Sequence, residues 1–516
     1  MNLDSLPELA FATIADLIHQ HAQHRPAHPA VIAGGRAISY AAFDQLIDRI
    51  AASLQRDGIP VGGAVALCAA ASIEYAAVFI GALRAGVAIA PLAPSSTSES
   101  LLDMVRDAGA ALFFVDADTA GALATAGVQC EARLIVLDEC PGELAFSAWL
   151  AQEGTPAPVH IEPSQPFNII YSSGTTGTPK GIVQSHAMRW AHVQRGTFVG
   201  YGPNAVTLLA TPLYSNTTLV SFFPTLTLGG TVVLMPKFDA KMYLELAQQH
   251  RVTHTMLVPV QYQRLMSHAD FDRFDLSSFV MKFCTSAPFS GLLKAEVLRR
   301  WPGGLIEYYG MTEGGGTFVL AAHEFPHKLH TVGQAAPGHD VRLIDDAGLE
   351  VARGEMGEVV GHSPAMMNAY HNQPGKTAEA EWFDAEGKRF IRTGDVGRFD
   401  EDGFLTLFDR KKDMIISGGF NVYPSDLEAV LREHPAVADA AVVGVPSLRW
   451  GETPVAFVVL HQGDATGGAE IMGWVNGRVG KTQRLAALEL IDSLPRSAIG
   501  KVLKRSLRDG FGRQLD

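Results

Sequence analysis

Cysteine is scarce in this chain: Cys68, Cys130, Cys140 and Cys284 are the only four among 516 residues. They are irregularly spaced, with no CxxC pair and no metal-ligand spacing. That pattern argues against a disulfide-stapled scaffold and fits a reducing compartment. Charged residues are also modest, 18% against 47% hydrophobic, a globular balance and not a disordered one. Long unbroken apolar runs are missing. The most apolar stretch, "YAAVFIGALRAGVAIAPLAP", is interrupted by Arg84 and punctuated by glycine and proline. It reads as a buried helix followed by a strand, so no stable membrane insertion is expected. The N-terminus has no basic segment ahead of an apolar core and does not read as a signal peptide. A cytoplasmic location is the expectation. An excess of positive charge is lacking too: the net charge of −13 repels nucleic acid and anionic membranes.

The length suggests roughly two to four structural units. Helical and strand patterns alternate over about the first four-fifths of the chain, an α/β signature. "ISYAAFDQLIDRIAASLQRDG" has helical spacing with a polar start and a glycine stop. "AVALCAA", "AALFFVDA", "TVVLMPKF" and "HTMLVPV" read as strands. Such short apolar strands between helices predict mostly parallel sheets covered by helices. The texture changes near Asp395, where a hairpin ending in "GFLTLF" leads into the charged cluster Asp409 to Asp413. A boundary there divides the chain into residues 1–409 and a small α+β domain of residues 410–516.

"YSSGTTGTPKG", Tyr171 to Gly181, packs hydroxyls, glycines and one lysine together with no acidic residue. It follows an apolar strand, "FNIIYSS"; "IVQS" after it reads as a second strand, and a helix is predicted from near His186. Glycines let the backbone turn sharply and its N–H groups point inward at a polyanion. This is not a Walker A loop, because Pro179 precedes Lys180 and Gly181 follows it. Taken by composition alone, the run could equally be a polar surface loop.

The full string resembles the signature loop of the adenylate-forming (ANL) superfamily, which contains acyl-CoA synthetases, peptide-synthetase adenylation domains and luciferases. Other stretches match in the family's order: "EYYGMTE" (Glu307 to Glu313), "RTGD" (Arg392 to Asp395), "DRKKDMIISGGFNVYP" (Asp409 to Pro424) and "PRSAIGK" (Pro495 to Lys501). Together they span nearly the whole chain. The resemblance implies a reaction in two halves. A carboxylate attacks the α-phosphate of ATP to give acyl-AMP and pyrophosphate; a thiol, usually that of coenzyme A, then displaces AMP.

The resemblance also implies roles. Ser172, Ser173, Gly174, Thr175, Thr176, Gly177, Thr178 and Lys180 would hold the β- and γ-phosphates. Thr312 would bond the α-phosphate and Glu313 would ligate Mg²⁺, which favours one or two carboxylates plus phosphate oxygens. Tyr308, Tyr309, Gly310 and Met311 would form the nucleotide strand end, with Tyr309 against adenine and Ser286, Ala287 and Pro288 on its other face. Asp395 and Arg410 would hold the ribose. Lys501 would bring one positive charge between the carboxylate and the α-phosphate. Lys412 would be the hinge for a mobile C-terminal domain, and Ser417, Gly418, Gly419 and Phe420 would line the path of coenzyme A. PRSAIGK also resembles a context in which this lysine is acetylated, so a lysine acetyltransferase and deacetylase acting on Lys501 are implied partners.

The acid pocket is less legible. Many relatives carry a histidine where this chain has Ser215, within Tyr214, Ser215, Asn216 and Thr217. Ser215 and Asn216 either face the acid or satisfy backbone groups. Val258, Thr285 and Gly315 are further wall candidates. The run Gly314 to Gly316 suggests room for an extended or ring-shaped acid, medium-chain fatty or aryl/alicyclic. No arginine is evident in these stretches, which argues against a dicarboxylate. The leading expectation is an AMP-forming acyl-CoA synthetase. The runner-up is an adenylation enzyme loading a carrier-protein thiol, disfavoured because no phosphopantetheine-serine motif is evident downstream. A luciferase-like oxygenase and a non-catalytic nucleotide-binding module stand further off. A homodimer is left open.

Overall fold

The structure, a computed structural model, describes residues 9–138, 143–172, 180–410, 413–417, 420–497 and 500–511. It separates into two compact units. One comprises Met1–His330, Ala335–Asp340 and Gly361–Ile391; the other comprises Thr331–Gln334, Val341–Val360 and Arg392–Asp516. The second unit begins ahead of the charged cluster at Asp409 and draws in two short earlier segments.

The first unit is built on two sheets, one nine-stranded and one seven-stranded. In the larger, the strands Gly304–Tyr309, Met281–Cys284, His254–Leu257, Val206–Leu209, Thr231–Leu234 and Pro29–Ala33 lie side by side, all parallel. In the smaller, Arg133–Val136, Leu112–Val115, Ala64–Cys68, Ala88–Pro91 and Pro166–Ser172 run parallel. Lys180–Ser185 then returns antiparallel to Pro166–Ser172. The expected α/β architecture is therefore present, and the predicted strands at 64–68, 112–115, 231–234 and 254–257 all form. Parallel strands buried on both faces need continuous apolar runs, as in Ala64–Cys68, where every residue is buried.

The helix Tyr40–Arg56 starts at Ser39, whose hydroxyl caps the Ala42 N–H, and buries Phe43, Ile47, Ile50 and Leu54. It packs on the helix Ile73–Arg84, the segment predicted to be buried rather than membrane-spanning. A Cβ at Gly81 would meet Ile50 Cγ2 at 2.6 Å, so glycine sets how closely these helices approach. The main core joins both sheets through the helix Asn216–Thr227, with Leu67 and Ile89 from one side and Leu209, Val232 and Met256 from the other. No helix among the described residues is long and apolar enough to cross a membrane. Cys68, Cys130 and Cys284 are free thiols.

In the second unit, Val437–Ser447 and Gly451–Leu460 form a long antiparallel pair. Alternation sends Ala440, Val442, Ala456 and Val458 into one core with Leu427, Leu431 and Ile471. The intervening Ala441, Val443, Val455 and Phe457 enter another core with Leu507 and Phe511 of the helix Lys504–Phe511. The period of two along a strand thus fills both faces of this sheet. The hairpin predicted after Asp395 is the antiparallel pair Arg389–Phe399 and Leu405–Arg410.

Candidate active site

The glycine- and threonine-rich loop connects two antiparallel strands whose ends pair Ser172 with Lys180 and Tyr171 with Gly181. Ser173, Gly174, Thr175, Thr176, Gly177 and Thr178 lie outside the described residues. Lys180 is placed: its ammonium sits 4.9 Å from the centre of the Tyr370 ring. The Tyr370 hydroxyl in turn donates to Glu313 Oε1 at 2.8 Å. Burial first, then the Glu313 charge, pushes the Tyr370 pKa up, so the phenol keeps its proton. Tyr370 thereby links the lysine of the loop to the carboxylate of EYYGMTE, a link no sequence motif had suggested.

Glu313 closes a segment that begins on the parallel strand Gly304–Tyr309. Behind that strand, Glu307 forms a buried ion pair with Lys294, whose ammonium also donates to the Leu329 carbonyl at 2.8 Å. Tyr309 packs against Phe318, ring centroids 5.7 Å apart. After Glu313 the backbone turns through Gly314 and Gly315 with φ of 77° and 89°, values that favour glycine. A Cβ on Gly314 would meet the Ala365 carbonyl oxygen at 1.8 Å, and one on Gly315 would meet the Gly361 oxygen at 2.8 Å. The room expected beyond Glu313 is therefore taken by backbone at both positions. These glycines allow the loop to dock on residues 361–366, with Gly315 N–H donating to the Ala365 carbonyl at 3.0 Å and Met367 N–H to the Glu313 carbonyl at 2.7 Å.

Ser215 and Asn216 resolve differently. Ser215 is the N-cap of the helix Asn216–Thr227, its hydroxyl accepting from Thr217 N–H at 3.3 Å. Asn216 turns to a buried polar network. Its Oδ1 accepts from Arg189 Nη1 at 2.8 Å, and Arg189 also donates to Asn168 and Gln184. Gln184 Nε2 donates to the Thr312 carbonyl at 2.6 Å. Arg189 is 1% exposed and its neighbours are amide oxygens, with no carboxylate among them; burial lowers its pKa to about 9. Thr217 shares a hydrogen bond with Ser286, and Ser286 holds φ of 81°, a strained value for a residue with a side chain. Val258 is buried as the N-cap of the helix Pro259–Met266. Tyr214 is half-buried, and burial followed by the neighbouring Cys68 raises its pKa.

Outside the stretches named as acid-pocket walls, Arg195 lines a small cavity together with Tyr308, Ser221 and Phe283. It lies on the helix His186–Gly196, whose inward face could not be assigned to a pocket without its three-dimensional neighbours.

In the second unit, RTGD divides into anchors and an end point. Arg392 pairs in bidentate fashion with buried Glu358 at 2.6 and 3.0 Å, and Thr393 donates to the Val359 carbonyl at 2.9 Å. Asp395 follows Gly394 (φ of 71°) and sits opposite Arg410 across the strand pair. Ser417 pairs with Phe420 across a narrow hairpin, and Phe420 is 62% exposed; Gly418, Gly419 and Lys412 lie outside the described residues. Lys501 is exposed on a tight turn. Its N–H donates to Ser497 Oγ at 3.2 Å, Ser497 N–H donates to the Lys501 carbonyl at 2.8 Å, and Gly500 takes φ of 78°. Arg496 holds the turn by donating to the Gly500 carbonyl at 2.6 Å while paired with Asp439. Arg496, Ser497 and Asp439 were not singled out from sequence, although the first two lie inside PRSAIGK.

The described residues contain no cluster of three or more metal-ligating side chains. Glu313, a single carboxylate at the end of this segment, suits Mg²⁺, which favours one or two carboxylates plus phosphate oxygens. Glu313 stands at the end of a strand segment in the first unit and Lys501 on a turn in the second. The comparisons place the chain in a class of nucleotide-dependent, acid-activating enzymes. The family model for AMP-binding enzyme matches residues 18–371, and that for AMP-binding enzyme C-terminal domain matches residues 426–501. The chain is 32% identical to the fatty acid–[acyl-carrier-protein] ligase ScoC of Streptomyces coeruleorubidus, covering 99% of this chain and 98% of that protein. It is 32% identical to the indoleacetate–CoA ligase of Aromatoleum aromaticum, covering 97% and 98%. The solved amide bond synthetase McbA from Marinactinospora thermotolerans superposes with a TM-score of 0.86 at 29% identity, covering 96% and 99%. This chain belongs to the ANL superfamily of AMP-forming ligases, enzymes that use ATP, Mg²⁺ and, in the CoA ligases, coenzyme A.

Proposed function

We propose that this enzyme activates a carboxylic acid as its acyl-adenylate and transfers the acyl group to coenzyme A in the cytoplasm. The observation that carries this reading is the Lys180–Tyr370–Glu313 chain, which joins the phosphate-loop strand to the strand end bearing Thr312. The carboxylate oxygen of the acid bonds to the α-phosphorus of ATP, and the bond from that phosphorus to the β-phosphate bridge breaks, releasing pyrophosphate. Catalysis of this step is positioning plus charge stabilisation. Thr312 holds the α-phosphate, Lys180 with the loop from Ser172 holds the outer phosphates, and Tyr309 and the Ser286–Pro288 segment hold adenine. Asp395 and Arg410 hold the ribose. Mg²⁺, ligated by Glu313, neutralises phosphate charge when bound. Tyr370 orients Glu313 by donating to its Oε1. Lys501 delivers the charge that lets two anions meet.

The thiol of coenzyme A then attacks the acyl carbonyl and AMP leaves. Residues 410–516 move as a body about Lys412 between the halves, bringing Ser417 to Phe420 to the thiol's path. Acetylation of Lys501 would remove its charge and switch off the first half. The acid is a medium-chain fatty or an aryl or alicyclic one. A second reading, transfer to a carrier-protein thiol, is favoured by the name of the ScoC relative.

A panel of carboxylic acids with ATP, Mg²⁺ and coenzyme A, scored for pyrophosphate and for thioester, tests this. Pyrophosphate with acyl-CoA is expected. Pyrophosphate without acyl-CoA would move the acceptor to a carrier protein, and no pyrophosphate with any acid would refute acid activation.

A further inference from the structure

Arg189 is 1% exposed. Among the described residues its hydrogen-bond acceptors are amide oxygens, with no carboxylate. Nε and Nη2 donate to Asn168 Oδ1 at 3.1 and 2.9 Å, Nη1 donates to Asn216 Oδ1 at 2.8 Å, and Nη2 also donates to Gln184 Oε1. Phe167 and Phe223 cover the guanidinium, their ring centres 5.7 and 5.9 Å away. A buried arginine is ordinarily paired with a carboxylate, because taking its charge out of water is costly. An apolar side chain would fill this place without that cost, and departures of this kind concentrate at functional sites.

The arginine fixes the direction of the amides around it. The two ends of an amide are alike in shape and differ in whether they accept or donate. Arginine donates and never accepts, so Asn168 turns its oxygen toward Arg189. That leaves Asn168 Nδ2 to donate to Gln184 Oε1 at 3.0 Å. Gln184 Oε1 then faces two donors, one from Asn168 and one from Arg189. Its Nε2 has to point the other way, at the Thr312 carbonyl 2.6 Å off. Asn168 and Gln184 are both 0% exposed, so bulk water does not compete for either amide. Thr312 is thereby pinned through its backbone. The next carbonyl, that of Glu313, accepts from Met367 N–H at 2.7 Å, and Tyr370 holds the Glu313 side chain. The strand Lys180–Ser185 carries the phosphate-loop lysine at its start and the anchor of Thr312 four residues on. The spacing between Lys180 and Thr312 is therefore set through one strand.

We propose that Arg189 and Gln184 are positioning residues for adenylate formation. The arginine fixes the direction of the Gln184 amide, and that amide holds the Thr312 peptide so that the Thr312 hydroxyl meets the α-phosphate as charge grows there. Neither side chain touches substrate; both act through Thr312. This rests on the acid-activation reading above and deepens its first half-reaction.

The test uses the full-length enzyme with ATP, Mg²⁺ and an acid that it turns over. Gln184→Glu keeps the size of the side chain and gives Arg189 a carboxylate, but it has no N–H for the Thr312 carbonyl. kcat for pyrophosphate release is expected to fall about tenfold to a hundredfold, the scale of a small misplacement at the reacting centre. KM for ATP should change by less than about twofold, because the groups assigned to adenine, ribose and the outer phosphates are untouched. The urea midpoint should leave the variant fully folded in the assay. Arg189→Lys still offers Gln184 Oε1 a donor and should keep most of the rate. Arg189→Met frees the amide to turn and should match Gln184→Glu; if it does not fold, Gln184→Glu decides alone. An unchanged kcat in Gln184→Glu overturns the proposal. So does a higher KM for ATP with kcat intact, and so does an activity loss that follows the loss of folded enzyme, which marks a structural role. Each of these leaves acid activation standing. Pyrophosphate from no acid with the unsubstituted enzyme overturns acid activation and this inference with it.

Discussion

The two lysines assigned to opposite ends of the triphosphate are held in contrasting ways. Lys180 ends a strand in a buried sheet and lies over the Tyr370 ring, itself tied to Glu313. Lys501 is exposed, on a turn whose order comes from Arg496, Ser497 and a positive-φ glycine. On the proposed function, Lys180 would serve a surface that keeps its shape, and Lys501, carried by the other unit, would have to arrive and withdraw. Function placed on scaffold and function placed on a turn fail differently when broken.

The largest effect is expected in the scaffold. Glu307→Ala leaves the Lys294 ammonium buried without its carboxylate, which costs roughly 3–5 kcal/mol and should appear as a lower denaturation midpoint, with activity lost through unfolding. Lys501→Ala should do the opposite. Its midpoint should stay put while adenylate formation falls about 10²–10³-fold, the scale of losing one transition-state donor, and thioester formation from supplied acyl-adenylate survives. Equal loss in both half-reactions would refute the role of Lys501.

Acid should separate the regions next. Burial lowers the pKa of His186, His254 and His339 to about 4 and that of His192 well below its ordinary value. All four lie in the first unit. Between the unfolded pKa near 6.5 and the folded values, the unfolded chain binds protons that the folded chain does not. Stability is therefore full above about pH 6.5 and falls as pH drops, by roughly 2 kcal/mol per histidine at pH 5. Urea midpoints measured from pH 7.5 to 5 check this, and a flat profile would count against it. The smallest effect is expected at Arg496→Ala. Loosening the turn should slow adenylate formation about tenfold, a little over 1 kcal/mol, with no change in thioester formation from supplied adenylate.

Legibility followed locality. The strands 64–68 and 112–115, the helix from Tyr40 and the hairpin after Asp395 are set by periodicity, caps and turns, and all were readable. Thr312, Glu313, Asp395 and Lys501 were named because each sits in a contiguous motif. Tyr370 was invisible because it lies 57 residues from its partner Glu313. Arg195 was not singled out because the ring it lies over, Tyr308, comes from a strand far along the chain. The glycines after Glu313 were misread as space: their neighbours are backbone atoms of residues 361–366, which no local pattern announces.

By itself, the sequence determined the chemistry this protein performs, since phosphate loops, capped helices and catalytic turns are written in short runs whose conformation depends on near neighbours. Tertiary structure decided what surrounds that chemistry. Whether Asn216 meets Arg189 and whether Gln184 reaches Thr312 depend on distant groups brought within hydrogen-bond reach, where burial makes an unmet polar group costly.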